Sequence, residues 1–197
     1  MRSWLLTPCP TEAEFAAARG SGADVVVLDL TRAPVRERLG AKPRLVAKVG
    51  DAIEDDLDAV MPLTPWAILA SCRSGADVQR LGGKLAVREA RLGLVDGATR
   101  IVACVGDAKS LMNLPSFAGA SPRLAALVLC ANAPWPPLAR ALVALAAADA
   151  DIAAIDGPSE ADLFRQEAES ARDQGFSGKI ATNVEQVAIV NAVFGQN

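Results

Sequence analysis

Eight short apolar runs, each followed by a polar turn, constrain the fold more than any other feature of the chain. They cover residues 3–6, 25–30, 45–49, 67–70, 101–105, 126–129, 152–155 and 179–181. Most are apolar on both faces instead of alternating, as expected of strands covered by helices on one side and filled by a core on the other. Helical patterns occupy most of the gaps, and eightfold strand–helix alternation predicts a parallel α/β fold. A closed TIM-like (β/α)8 barrel is its natural form. Such barrels typically need about 250 residues, with about 200 near the lower limit. The 197 residues here therefore predict a compact, trimmed barrel forming one domain over 1–197. The weak point lies between Leu30 and Leu45, where only 35–39 has helical character and Gly40 and Pro43 shorten it. A doubly wound open sheet is the alternative, but neither a glycine-rich dinucleotide turn nor a Walker loop supports it.

The helical segments carry recognisable punctuation. Thr11 is an N-cap with Glu14 three residues on. Residues 51–60 place Ile53, Leu57 and Val60 at helical spacing, and Pro62 stops them. Residues 74–85 are helical but weakened by Gly82 and Gly83. Residues 108–117 have an end disturbed by Pro115, and 137–148 start on a proline suited to a first turn. In 159–174, Ser159 and Asp162 resemble a capping box and Gly175 is a stop. The last helix, 184–194, turns Val187, Ala188, Val190 and Phe194 inward.

Charge and cysteine usage exclude several functions. The net charge is −3 and the basic residues are scattered, so there is no footprint for nucleic acid or an anionic membrane surface. The most apolar stretch, 138–155, is broken by Arg140, Asp149 and Asp151, so no membrane span is expected. The N-terminus lacks a signal-type apolar core, and a cytoplasmic protein is expected. Cys9, Cys72, Cys104 and Cys130 have no metal-ligand spacing and read as small buried hydrophobes, since a chain of this size needs no disulfide staple. There is no histidine, which excludes Ser-His-Asp and Cys-His catalysis and removes the commonest general base.

Polar groups at the ends of the apolar runs are the candidate site residues, because a barrel of this type works at the C-terminal ends of its strands. Asp29 and Asp156 each end a run, Lys48 ends the third, and Lys109 follows the fifth. Asp29, Lys48 and Asp156 are candidate catalytic groups; Lys48, Lys109 and Asn132 are candidate substrate-binding groups. The plainer readings are turn caps or ion pairs for the aspartates and solvated lysines for the cations. The acidic run Glu54, Asp55, Asp56, Asp58 lacks calcium-loop spacing and reads as a helix start favoured by the helix dipole. Trp135 in PWPPL is either an interface anchor or a plug for the barrel mouth, a place Met112 could also fill.

RSWLLTP, GADVVVLDL, RIVACVGDAKSLMNL, AIDGPSEADL and GFSGKIATNVEQVAIVNAVF follow one another along nearly the whole chain. Together they resemble the citrate lyase beta subunit group of the HpcH/HpaI aldolase family. The closing segment is the most specific, through Gly175, Phe176, Gly178, Lys179, Gln186, Val187, Asn191 and Phe194. The resemblance implies a TIM-like barrel and a carbon–carbon lyase or aldolase acting on hydroxyacyl-CoA or 2-oxo acid aldols. It also implies Mg²⁺ at the C-terminal mouth, polarising the oxo acid and stabilising the enolate. Association into homo-oligomers is implied as well, although the C-terminal extension that many members use for it is not expected here.

The departures from the family pattern fall on its site. Where the resemblance places an acidic pair after LDL, Thr31 and Arg32 stand. Its substrate-gripping arginine is Lys48, which keeps the charge and loses the bidentate fork. Its metal-binding glutamate is Gly106. Its metal-binding aspartate and the preceding glutamate are Ala133 and Asn132, and an Ile-His-Pro triplet is Thr182, Asn183 and Val184. Asp107 lies one residue beyond Gly106, but such a step along a strand reverses the side chain. Mg²⁺ depends on charged oxygen ligands, so neither it nor another cofactor is expected. The expectation is a diverged, catalytically impaired member. The alternatives are a metal-independent lyase with a rebuilt site, or a non-catalytic subunit binding a small acid, a CoA thioester or a protein partner.

Overall fold

The computed structural model describes residues 1–8, 11–31, 44–130, 136–159 and 161–195. Eight parallel strands form a closed barrel in chain order. They are β1 (Ser3–Pro8), β2 (Val25–Asp29), β3 (Arg44–Lys48), β4 (Ala67–Ser71), β5 (Arg100–Val105), β6 (Leu124–Leu129), β7 (Ala153–Asp156) and β8 (Gly178–Ala181). Each follows an expected apolar run to within a few residues. β8 closes on β1 in the register Ser3↔Lys179, Trp4↔Ile180.

Closure needs the backbones of β1 and β8 to approach closely, and Gly178 permits it. A Cβ at Gly178 would lie 2.2 Å from the carbonyl oxygen of Arg2, so only glycine fits.

Two apolar layers divide along the strands with period two. Trp4, Val25, Val27, Val46, Leu69, Val102, Val128, Ile155 and Ile180 point inward and fill the barrel. Their neighbours, such as Val26, Leu28, Ala47, Ile68, Ile101, Leu127 and Ala181, point outward and pack under the helices. Among the described residues the barrel is thus solid through most of its height, as in other barrels of this kind.

The helices are α1 (Glu12–Gly20), α2 (Ile53–Val60), α3 (Gly75–Leu92), α4 (Ala108–Met112), α5 (Pro136–Asp149), α6 (Phe164–Asp173) and α7 (Val184–Phe194). The Thr11–Glu14 capping box opens α1 as expected. α3 runs past the expected end at 85 to Gly93, whose φ of 68° terminates it. The two glycines each cost about 1 kcal/mol in a helix, and burial of Val78, Leu81 and Leu85 outweighs that. Pro115 does disturb 108–117: α4 stops at Met112 and a 3-10 turn, Leu114–Phe117, follows. α6 starts at Phe164, after a 3-10 turn at Ala161–Leu163, so the Ser159–Asp162 pair does not open it. Asn183 caps α7 by accepting from the Gln186 N–H. The expected helical segment 35–39 lies outside the described residues.

A buried ion pair ties α3 to the start of β6. Glu89 of α3 and Arg123, just before β6, meet at 2.9 and 2.7 Å. Glu89 also accepts from the Thr99 and Gly97 N–H groups at 2.7 and 3.0 Å. Burial alone would raise the Glu89 carboxyl, but the Arg123 guanidinium and these two amides hold it below its ordinary value.

Candidate functional site

At the C-terminal mouth the inward positions pass from apolar to polar. Asp29 follows Val25 and Val27 on the inward face of β2, and Lys48 follows Val46 on β3. The register sets them side by side, and the Lys48 Nζ donates to Asp29 Oδ2 at 2.9 Å. Asp29 Oδ1 accepts from the Thr31 hydroxyl at 2.5 Å and from its backbone N–H at 3.2 Å. Burial would push the Asp29 carboxyl up, but the Thr31 hydroxyl and the Lys48 ammonium outweigh it and keep the group ionised below the usual carboxylate range. The two candidates brought together here are therefore partners, each largely neutralising the other.

Because the folded-state value is depressed, the stability contributed by Asp29 is fully present above its unfolded value of about 3.9 and is lost as pH falls through the folded value. Asp29→Asn is expected to lower stability at pH 7 by about 1.5–3 kcal/mol, the range for hydrogen bonds to a charged group. Its deficit should shrink below about pH 4, as urea unfolding at a series of pH values would show.

On β5 and β6 the same inward rim holds sulfur. Cys104 and Cys130 form a disulfide with Cα atoms 6.0 Å apart, a usual separation for the bond. Both are half-buried. The expectation that these are simple buried hydrophobes is corrected: each holds an inward position near the end of adjacent strands, so a diagonal step across the ladder joins them. That inward parity in VACV and VLCA was the available signal.

Gly106 lies beside Cys130. A Cβ at Gly106 would stand 2.6 Å from the Cys130 Cβ and 3.3 Å from its Sγ. Gly106→Ala is expected to force Cys130 aside and to cost about 1–3 kcal/mol, the range for overpacking a filled site; thermal unfolding measures it.

Asp156 turns away from the mouth. Ile155 points into the barrel, so Asp156 faces the helices, where Lys179 of β8 reaches it at 2.5 Å. The Arg140 guanidinium of α5 grips both carboxylate oxygens at 3.2 Å. Lys179 is fully buried, donates to the Gly157 carbonyl at 2.9 Å and lies 5.2 Å from the Phe164 ring centre. Glu167 stands 3.7 Å from Arg140 and 3.8 Å from Lys179. This network ties α5 and α6 to β7 and β8. The sequence marked Lys179 through the resemblance and the eighth apolar run, and gave no sign of its partner Asp156.

The remaining candidates are dispersed. Lys109 is exposed on α4. Asp107 is the N-cap of α4, accepting from the Ser110 N–H at 2.6 Å and pairing with Arg73 at 3.1 Å. Met112 is 82% exposed, so it does not plug the mouth. Arg32, Asn132, Ala133 and Trp135 lie outside the described residues.

No family model matches the chain. A citrate lyase subunit beta-like protein from Deinococcus radiodurans is 27% identical over 228 residues, covering 99% of this chain and 80% of the relative. RipC from Yersinia pestis superposes with a TM-score of 0.75 at 26% identity, covering 98% and 94% of the two chains. The citrate lyase beta subunit from Mycobacterium tuberculosis gives 0.80 at 19% identity, covering 98% and 96%; it has also been solved with oxaloacetate and magnesium. The chain is similar to a citrate lyase subunit beta-like protein over nearly its whole length. The likeness is consistent with the HpcH/HpaI aldolase family.

The residues that carried the resemblance are largely architectural. Gly178 admits β1, Lys179 neutralises Asp156, and Gln186 accepts from the Thr182 N–H at 2.8 Å. Asn191 accepts from the Ser3 hydroxyl at 2.7 Å, while Phe176 and Phe194 lie in the core.

Of the positions at which the resemblance implies Mg²⁺ ligands, only Gly106 is among the described residues. Cys130 occupies the space a side chain at 106 would need, and Asp107 is committed to its cap and to Arg73. Among the described residues no group of three or more His, Cys, Asp or Glu is placed to hold a metal. No helix of the described residues is long and apolar enough to cross a membrane.

Proposed function

We infer that the chain is a diverged, single-domain citrate lyase beta subunit-like barrel, cytoplasmic, that has lost the Mg²⁺-dependent carbon–carbon lyase reaction and needs no metal. One observation carries this reading: Cys130 packs against Gly106 so closely that the side chain required there by metal-dependent chemistry has no room. The rim also spends its one described acid–base pair on itself, with Asp29 bound to Lys48. Lys48 is 36% exposed and gives only one of its three ammonium donors to Asp29, so it is the group that would meet a small carboxylic acid or a CoA thioester at the mouth.

The test is aldol cleavage of citryl-CoA and malyl-CoA by the purified chain with Mg²⁺ and with a chelator. No turnover in either condition supports the reading, and Mg²⁺-dependent turnover refutes it.

A second reading is favoured by the 2.9 Å contact between Lys48 and Asp29 inside the mouth. It is a metal-independent lyase in which that pair handles the proton. Chelator-resistant cleavage abolished by Asp29→Ala would establish it; cleavage that survives Asp29→Ala would dismiss it.

A further inference from the structure

The Cys104–Cys130 bond lies where a structural staple has little to add. It joins two strands already hydrogen-bonded through their length, from Ile101↔Leu124 to Val105↔Leu129. It also stands at the rim of a barrel whose inner and outer layers are filled by apolar side chains. Both sulfurs belong to half-buried residues on the inward face of the mouth. The rim position beside Cys130 is a glycine, so no side chain there shields its sulfur; an atom placed at that Cβ would be 3.3 Å from it. In reducing compartments disulfides are usually transient and serve catalysis or sensing.

We propose that Cys104 and Cys130 form a redox-active pair that exchanges with small thiols of the glutathione class while the barrel stays folded. A solvent thiolate attacks one sulfur of the pair, forming a mixed disulfide and releasing the other as a thiolate, which takes up a proton. A second thiolate attacks the external sulfur of the mixed disulfide and expels the remaining protein thiolate, which is protonated in turn. One protein disulfide and two thiols become two protein thiols and one external disulfide: the pair gains two electrons and two protons, and the small thiols lose them.

Cys72 takes no part. It is buried among the outward-facing core residues, where burial pushes its thiol up to about 12. Its thiolate fraction near neutrality is thus about 10³-fold below that of an ordinary cysteine. The exchange is independent of whether the mouth binds an acid, because it concerns the rim sulfurs alone.

The test is equilibration of the native chain in buffers of varied reduced-to-oxidised glutathione ratio, followed by alkylation and peptide mass spectrometry. Cys104 and Cys130 are expected to pass together from bonded to alkylated as the ratio rises, with an unchanged far-ultraviolet circular dichroism spectrum and with Cys72 labelled more slowly. With oxidised glutathione, Cys130→Ser and Cys104→Ser are each expected to trap a mixed disulfide at the surviving cysteine. Reduction only in denaturant would make the bond a staple and overturn the proposal. Two thiols that never join at any ratio would overturn it as well, and so would failure of both variants to trap glutathione.

Discussion

Replacing Asp156 with asparagine is expected to lower the stability of the barrel by about 3–5 kcal/mol, the cost of breaking a buried ion pair from one side. For a domain of this size that is roughly 6–20 °C in Tm. The side chain keeps its shape and loses its charge, so the loss measures the electrostatics. Lys179 is wholly buried and would retain only the Gly157 carbonyl, the Phe164 ring and a Glu167 carboxylate 3.8 Å away. Arg140 would lose both its bonds to the carboxylate. The cost arises from stranding the cation, since an apolar pair of similar volume does as well as an ion pair in such a place. The double variant Asp156→Leu with Lys179→Met should therefore recover the part of the loss that comes from Lys179, while Arg140 keeps only Glu167. Chemical unfolding of the three proteins reads this directly. An Asp156→Asn variant as stable as the parent would contradict the placement of Asp156 between barrel and helices.

Arg123→Met carries the other large effect, again about 3–5 kcal/mol. Glu89 is fully buried, and without the guanidinium it keeps only the Thr99 and Gly97 amides. The pH dependence distinguishes this from simple loss of packing. Glu89 titrates below its ordinary value in the folded protein, so the pair contributes fully above the unfolded value of about 4.3 and is lost as pH falls through the folded one. The gap between parent and variant should be widest near neutrality and narrow below about pH 4. A gap independent of pH would point to packing alone.

The barrel was legible because each strand is a local event. An apolar run between turn signals reads the same whether or not its neighbours are known, and eight of them with helical gaps leave few closed arrangements. The Thr11 cap is local too. The site was less legible because its meaning depends on parity and on neighbours across the ladder. Asp29 and Asp156 both end apolar runs, yet one faces the mouth and the other the helices: Asp29 lies an even number of residues beyond inward Val25 and Val27, Asp156 one beyond inward Ile155. Cys104 and Cys130 are 26 residues apart in the chain, and only the β5–β6 register brings them together. Gly106 read as a missing ligand; that its space is taken by Cys130 is visible only in three dimensions. α3 outran its expected end because buried contacts overrode the local cost of two glycines, which propensity cannot weigh.

We infer that the mouth does not hold a hard divalent ion, because Gly106 and Ala133 stand where the resemblance implies carboxylates and the described Asp29 carboxylate is bound to Lys48. Calorimetric titration of Mg²⁺ into the protein, alone and with saturating oxaloacetate, tests it most directly. No saturable Mg²⁺ binding is expected in either titration. A stoichiometric, oxaloacetate-enhanced Mg²⁺ isotherm would contradict it.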